Sequence, residues 1–141
     1  MFLLDTNVVS ELRKLSSGRA DPRVVAWNAQ TILETTFISV ISLAELETGV
    51  SRMERRDASQ GAHLRRWLEA QVLLAFRDRI LAVDQAIARR CGQLRADNPH
   101  PEYDALIAAT ALVCGLTVVT RNVADFAPMG VPIVNPWDVS S

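Results

Sequence analysis

Several residue types are scarce in this chain, and each scarcity excludes something. Lysine occurs once, at Lys14, so the positive charge rests almost wholly on arginine. Arginine's planar fork suits phosphate and carboxylate, although a GC-rich genome favours the same residue. The formal net charge is only −1, which argues against a generic polyanion binder. The two cysteines, Cys91 and Cys114, and the two histidines, His63 and His100, match no zinc-ligand spacing. Both cysteines fall in apolar, helix-like segments and are expected to be small buried residues in a reducing compartment. No apolar run approaches the roughly 20 residues of a membrane span. Met1-Phe2-Leu3-Leu4 lacks the basic flank and long apolar core of a signal peptide, so a cytoplasmic location without a membrane partner is expected. Repeats, linkers and low-complexity tracts are missing too. What is present is a hydrophobic fraction of 49% over 141 residues, enough for a single domain (1–141) with a real core.

Met1-Phe2-Leu3-Leu4-Asp5-Thr6-Asn7 is an uncharged apolar run that ends abruptly in an acid and small polar residues. Uninterrupted apolar character at strand length predicts a strand covered on both faces, as in a parallel sheet. Helix-like Val8 to Arg13 follows, which puts Asp5 at the carboxyl end of the strand, the edge where open α/β sheets bind ligands. Asp21-Pro22 opens a second helix, with Val24, Val25, Trp27, Ile32 and Leu33 as its apolar face. Thr35 to Val40 is the next strand. Ser42 and Glu45 match a capping box that starts a helix running to about Arg56. A further helix over Ala62 to Ala75 completes a helical hairpin, about residues 43–77, that projects from the domain. Its Trp67, Leu68 and Leu73 read as core, with a partner helix as the alternative. Ile80 to Val83, Leu116 to Thr120 and Val131 to Val134 are short strands, the last at an edge. Asp84 caps a helix to about Arg95, and Glu102 to Cys114 is an apolar, central helix ended by Gly115. Helices alternating with short strands predict a three-layer α/β/α sandwich around a parallel sheet.

Four acids stand out by position, three of them at or just beyond the end of a strand, and Asp104 joins them if its helix starts at that edge. Asp5 follows the first strand, Glu45 lies in the helix after the second, Asp104 begins the buried helix, and Asp125 follows the strand ending at Thr120. Each has a plain structural reading: a cap, a capping-box member, a first-turn acid favoured by the helix dipole, a turn residue. Together, at one sheet edge, they would repel and desolvate one another unless a cation intervenes. Oxygen donors alone point to Mg²⁺, or Mn²⁺ as a substitute, and away from zinc. Such a site can activate water and neutralise charge on a phosphate.

Four motifs then carry a resemblance over nearly the whole chain: Phe2-Leu3-Leu4-Asp5-Thr6-Asn7; Ile41-Ser42-Leu43-Ala44-Glu45-Leu46 with Gly49; Asp104-Ala105-Leu106-Ile107-Ala108-Ala109-Thr110-Ala111; and Thr120-Arg121-Asn122-Val123-Ala124-Asp125-Phe126. In order and spacing they resemble the PIN-domain ribonucleases, specifically the VapC/FitB-like toxins of type II toxin–antitoxin systems. The resemblance implies a Mg²⁺-dependent endoribonuclease that cleaves cellular RNA, often tRNA or rRNA. It also implies a homodimer and a cognate small DNA-binding antitoxin that blocks the site. Asp5, Glu45, Asp104 and Asp125 become the catalytic acids. Asp5 and Asp104 would bind the metal most directly, with Glu45 and Asp125 binding directly or through water. Thr6 and Thr120 would hold the carboxylates by hydrogen bonds, with Asn7 and Asn122 as polar helpers. Relatives carry the fourth acid at either the Asn122 or the Asp125 position; Asn122 is neutral, so Asp125 is assigned. Arg52, Arg55, Arg56, Arg65 and Arg66 are candidates to track an RNA backbone, against the reading of a solvated helical face. The rivals are a metal-dependent nuclease or phosphatase outside a toxin–antitoxin pair, and a non-catalytic Mg²⁺-binding α/β module. A receiver-like module usually pairs adjacent acids early and carries a late lysine; here Asp5 has no acidic neighbour and no lysine follows Lys14.

Overall fold

The computed structural model describes residues 1–138 of the chain. Its five strands are β1 (Phe2–Leu4), β2 (Thr36–Ser39), β3 (Ile80–Leu81), β4 (Thr117–Val119) and β5 (Ile133–Val134). They form one wholly parallel sheet in the order β3-β2-β1-β4-β5. The chain builds outward from β1 in one direction, then returns to add β4 on its other side. This reversal is a topological switch point, and it leaves a crevice at the strands' carboxyl ends beside β1. As expected, β5 is an edge strand.

Neighbouring residues of β1 show how the layers arise. Leu3 packs into a core with Ile87, Cys91, Ala108 and Phe126, whereas Leu4 packs into another with Val8, Val24, Leu46 and Leu68. Side chains alternate across a strand, so the two leucines feed opposite faces of the sheet. One outer layer holds α6 (Gln85–Asp97) and α7 (Glu102–Cys114); the other holds α1 (Thr6–Leu12), α2 (Pro22–Gln30), α3 (Val40–Arg56) and α4 (Ala58–Trp67). The α/β/α sandwich is therefore observed.

The structure moves several boundaries, with identifiable causes. Helix α3 starts at Val40, and its cap is Ser39, whose hydroxyl accepts from the Ile41 N–H at 3.0 Å. The S-x-x-E pattern at Ser42 and Glu45 is therefore not a capping box. Ser42 is a buried interior residue, and Glu45 is free to face α1. Helix α4 starts at Ala58, because Asp57 accepts from the N–H groups of Ser59 and Gln60, both at 3.1 Å. The polar stretch after Arg56 is thus a cap and not a loop. Beyond Trp67 a π-helical turn (Leu68–Val72) precedes a last short turn, α5 (Leu73–Ala75). Leu68 is core, while Trp67 and Leu73 are half-buried. In α2 only Val24 is buried; Val25, Ile32 and Leu33 are exposed, the last two because the helix has already ended at Gln30. Cys91 is buried as expected, but Cys114 is exposed, since it sits at the outer end of α7.

Two features fix α4 on α3. Gly61 is buried against α3, and a Cβ there would lie 2.7 Å from the Glu54 backbone nitrogen and closer still to its Cα. Above it, Arg65 pairs with Glu47 at 2.6 Å and Glu54 at 2.9 Å, and reaches Glu69 at 3.9 Å.

A candidate acidic centre at the carboxyl edge of the sheet

Asp5 leaves β1 in extended conformation and caps α1, accepting from the Thr6 N–H at 2.8 Å. Its other oxygen accepts from the Thr120 hydroxyl at 2.8 Å and the Asn7 amide at 3.2 Å. Thr120 follows β4 directly and is fully buried, so the second strand at the switch point supplies the hydrogen bond that aims Asp5. Asn7 bridges the two strand ends: its amide also donates to the Thr120 hydroxyl, and its carbonyl accepts from the Arg121 N–H. The Asn122 N–H donates to the Thr120 hydroxyl at 3.0 Å, while its side chain makes no capping bond. The Thr6 hydroxyl turns the other way and donates to Glu45 at 2.7 Å. One dipeptide, Asp5-Thr6, thus joins β1, α1 and α3 at the crevice.

Asp104 occupies the first turn of α7, which starts at the same edge. Burial, and after it the charges of Asp5, Asp125 and Glu45, push its carboxyl up to about 6. The other three acids thus lie near enough to act on Asp104 through their charge. Asp5 is only 4% exposed, and burial raises its pKa too, against the downward pull of its Thr120, Thr6 and Asn7 hydrogen bonds; Asp125 adds a smaller upward push. Asp125 itself is exposed, on α8 (Val123–Phe126), a single turn anchored by the fully buried Phe126.

His100 is the neighbour that sequence reasoning missed. It sits in the turn before α7, and its charge draws the Asp104 pKa down. The Asn98-Pro99-His100-Pro101 turn next to Asp104 was the available signal. Of the five arginines, Arg52, Arg55, Arg56 and Arg66 are exposed, whereas Arg65 is held by the α3 carboxylates Glu47 and Glu54. A cavity of about 220 Å³ is lined by Glu45, alone of the four acids, with Thr6, Arg13 and Trp67. A roomier one of about 390 Å³, between α2 and the segment after β5, touches none of the four.

The family model of the PIN domain matches residues 2–128. The chain belongs to the PIN-domain family. It is 37% identical to the VapC ribonuclease Y4jK of Sinorhizobium fredii over 98% of this chain and 99% of the relative. It is 39% identical to the toxin FitB of Neisseria gonorrhoeae, over 97% of this chain and 99% of that one. The crystal structure of FitAcB from Neisseria gonorrhoeae superposes with a TM-score of 0.89 at 36% identity, covering 99% of this chain and 100% of that one. PIN-domain ribonucleases generally use divalent metal ions.

The donor set of this PIN domain suits such an ion. Among the described residues, no three acidic, imidazole or thiol side chains converge closely enough to form a complete ligand cage. Mg²⁺ requires none, because it keeps several waters and takes one or two carboxylates directly. Asp5, buried and oriented, and Asp104, raised by its acidic neighbours, are the carboxylates whose charge a cation would relieve most.

Proposed function

We propose that this PIN domain is an endoribonuclease, the toxin of a type II toxin–antitoxin pair, that uses Mg²⁺ to cut cellular RNA. One observation carries the reading: the buried Asp5 at the carboxyl end of β1 is aimed by Thr120 and Asn7, and its charge, with those of Asp125 and Glu45, adds to burial in raising the Asp104 pKa. Such mutual repulsion is costly in a fold without a use for it, and a hard divalent cation removes it. Likeness to a named VapC ribonuclease and a named toxin supports the RNA substrate and the toxin role. Likeness to FitAB solved on a DNA fragment supports a DNA-binding antitoxin; a homodimer, a cytoplasmic setting and tRNA or rRNA as the target class complete the reading.

In this mechanism Asp5 and Asp104 hold the ion. When bound, Mg²⁺ supplies an activated water and neutralises phosphate charge. Thr120 and Asn7 keep the Asp5 oxygens pointed into the crevice, and Thr6 keeps Glu45 beside it. Glu45 and Asp125 would accept hydrogen bonds from a water and so orient it toward the phosphorus. The exposed Arg52, Arg55, Arg56 and Arg66 can approach the RNA backbone, whereas the Arg65 charge is matched by α3.

Purified protein incubated with total RNA, with Mg²⁺ or with chelator, tests the reading. Metal-dependent internal cuts that Asp5→Asn abolishes are the expected result. RNA left intact in millimolar Mg²⁺ would refute it, as would DNA or phosphomonoesters turned over in preference.

A further inference from the structure

Next to the cavity that Glu45 lines is a second, of about 260 Å³. Arg13, Arg19, Arg66 and His63 line it together with the hydroxyls of Ser16 and Ser17, and no acid does. The two cavities share Arg13, Leu64 and Trp67 as walls, so the cluster of cations adjoins the cavity that Thr6 and Glu45 line. Arg13 and Arg19 come from the two ends of the turn after α1, and Arg66 from α4; distant parts of the sequence build the cluster. Among the described residues none of the three arginines is ion-paired to a carboxylate. Arg65, one residue before Arg66, is held by Glu47 and Glu54, so the contrast is local and does not reflect a general shortage of acids.

Unpaired guanidinium groups facing one concavity repel one another, and a phosphate both relieves that repulsion and matches their planar forks. We propose that this pocket is a phosphate subsite for single-stranded RNA: it grips a backbone phosphate flanking the one at the acids, and the strand lies along α1 and α4. The subsite rests on the ribonuclease reading for its location relative to the cut. It also resolves an electrostatic difficulty, because the acids alone repel a polyanion whereas the adjoining cations draw it in.

The test measures binding separately from cleavage. Full-length wild type, the Arg19→Ala/Arg66→Ala double variant and Arg89→Ala, an exposed arginine on the opposite layer, are titrated against fluorescein-labelled oligouridylate RNA in chelator over a range of salt. The double variant should bind about tenfold more weakly, and its slope of log K against log salt should be shallower by roughly 0.7 to 1.4, one to two lost phosphate contacts. Arg89→Ala should match wild type. In Mg²⁺ the double variant should raise KM and leave kcat unchanged. A double variant with wild-type affinity and slope overturns the proposal, whether or not it loses hold of a protein partner; so does a loss of binding equal to that of Arg89→Ala. A wild type that binds RNA through these arginines but cuts none would sink the ribonuclease reading and leave the subsite standing.

Discussion

Replacing Asp104 with asparagine should stabilise the metal-free protein while abolishing cleavage, and the gain should depend on pH. The Asp104 pKa rises from 3.8 to about 6 on folding, because of burial and then of Asp5, Asp125 and Glu45. Between those values the folded chain holds a proton that the unfolded chain has released. Stability therefore falls as pH rises through the window, and the penalty is complete above about pH 6. At about 1.4 kcal/mol per pKa unit the full shift would be roughly 3 kcal/mol. Asp104 is partly solvated, and screening brings this to about 1 kcal/mol. Asparagine carries no charge, and the wild-type Asp104 carboxylate accepts no hydrogen bond that the amide would have to replace. For a chain of this size, about 1 kcal/mol is a rise in Tm of roughly 3–4 °C. Thermal unfolding in chelator at pH 4 and pH 8 is the assay: the variant's advantage should be small at pH 4 and full at pH 8. An equal advantage at both pH values, or a variant less stable than wild type at pH 8, would show that the four carboxylates do not strain the fold. Saturating Mg²⁺ should raise the wild-type Tm at pH 8 and erase the variant's lead.

Thr120→Val should cut kcat by more than tenfold and destabilise the fold by about 1–3 kcal/mol, because the buried Asp5 oxygen loses its shortest side-chain hydrogen bond; RNA cleavage and urea melts check it. Gly61→Ala should unseat α4 from α3 and cost about 1–3 kcal/mol, since the new Cβ meets the Glu54 backbone as well as its side chain, and a lowered urea midpoint would register this. Phe126→Ala should cost about 3–5 kcal/mol and release the turn that presents Asp125, so RNA cleavage should fall with Tm. A thiol reagent should label Cys114 in the native protein but reach Cys91 only in denaturant, with mass spectrometry counting the adducts.

Much of the fold is legible because the signals are strong and local. Four apolar residues ending in Asp5 can hardly be anything but a buried strand, and Asp84, Asp21 and Gly115 act at the helix ends where their chemistry predicts. The misread boundaries come from signals that two neighbouring residues share. Ser39 and Ser42 can both cap, and the hydroxyl at the end of a strand takes the role because its backbone is still extended. Asp57 reads as a loop until its carboxylate is seen to accept two helix N–H groups. Exposure of Ile32 and Leu33 lies beyond reach for another reason: periodicity assigns a face only while the helix continues, and this one stops at Gln30.

The candidate site divides along the same line. Which edge the acids occupy is legible, because the carboxyl ends of parallel strands share an edge, and that rule needs only the order of the elements. How they are held is not, because the decisive partners are distant in sequence. Thr120 meets Asp5 only because β4 returns to the far side of β1, 115 positions later. Thr6 reaches Glu45 only because α3 starts one turn early and turns Glu45 toward α1. The Thr120 hydroxyl, the Thr6 N–H and the Asn7 amide all donate to Asp5, which favours its charged form and opposes the rise that burial imposes there. A strand end that merely needed a helix cap would be served by the Thr6 N–H alone. The additional donors from Thr120 and Asn7 act to keep an anion charged in a dry place, and a group that must stay ionised there is a group made to meet a cation.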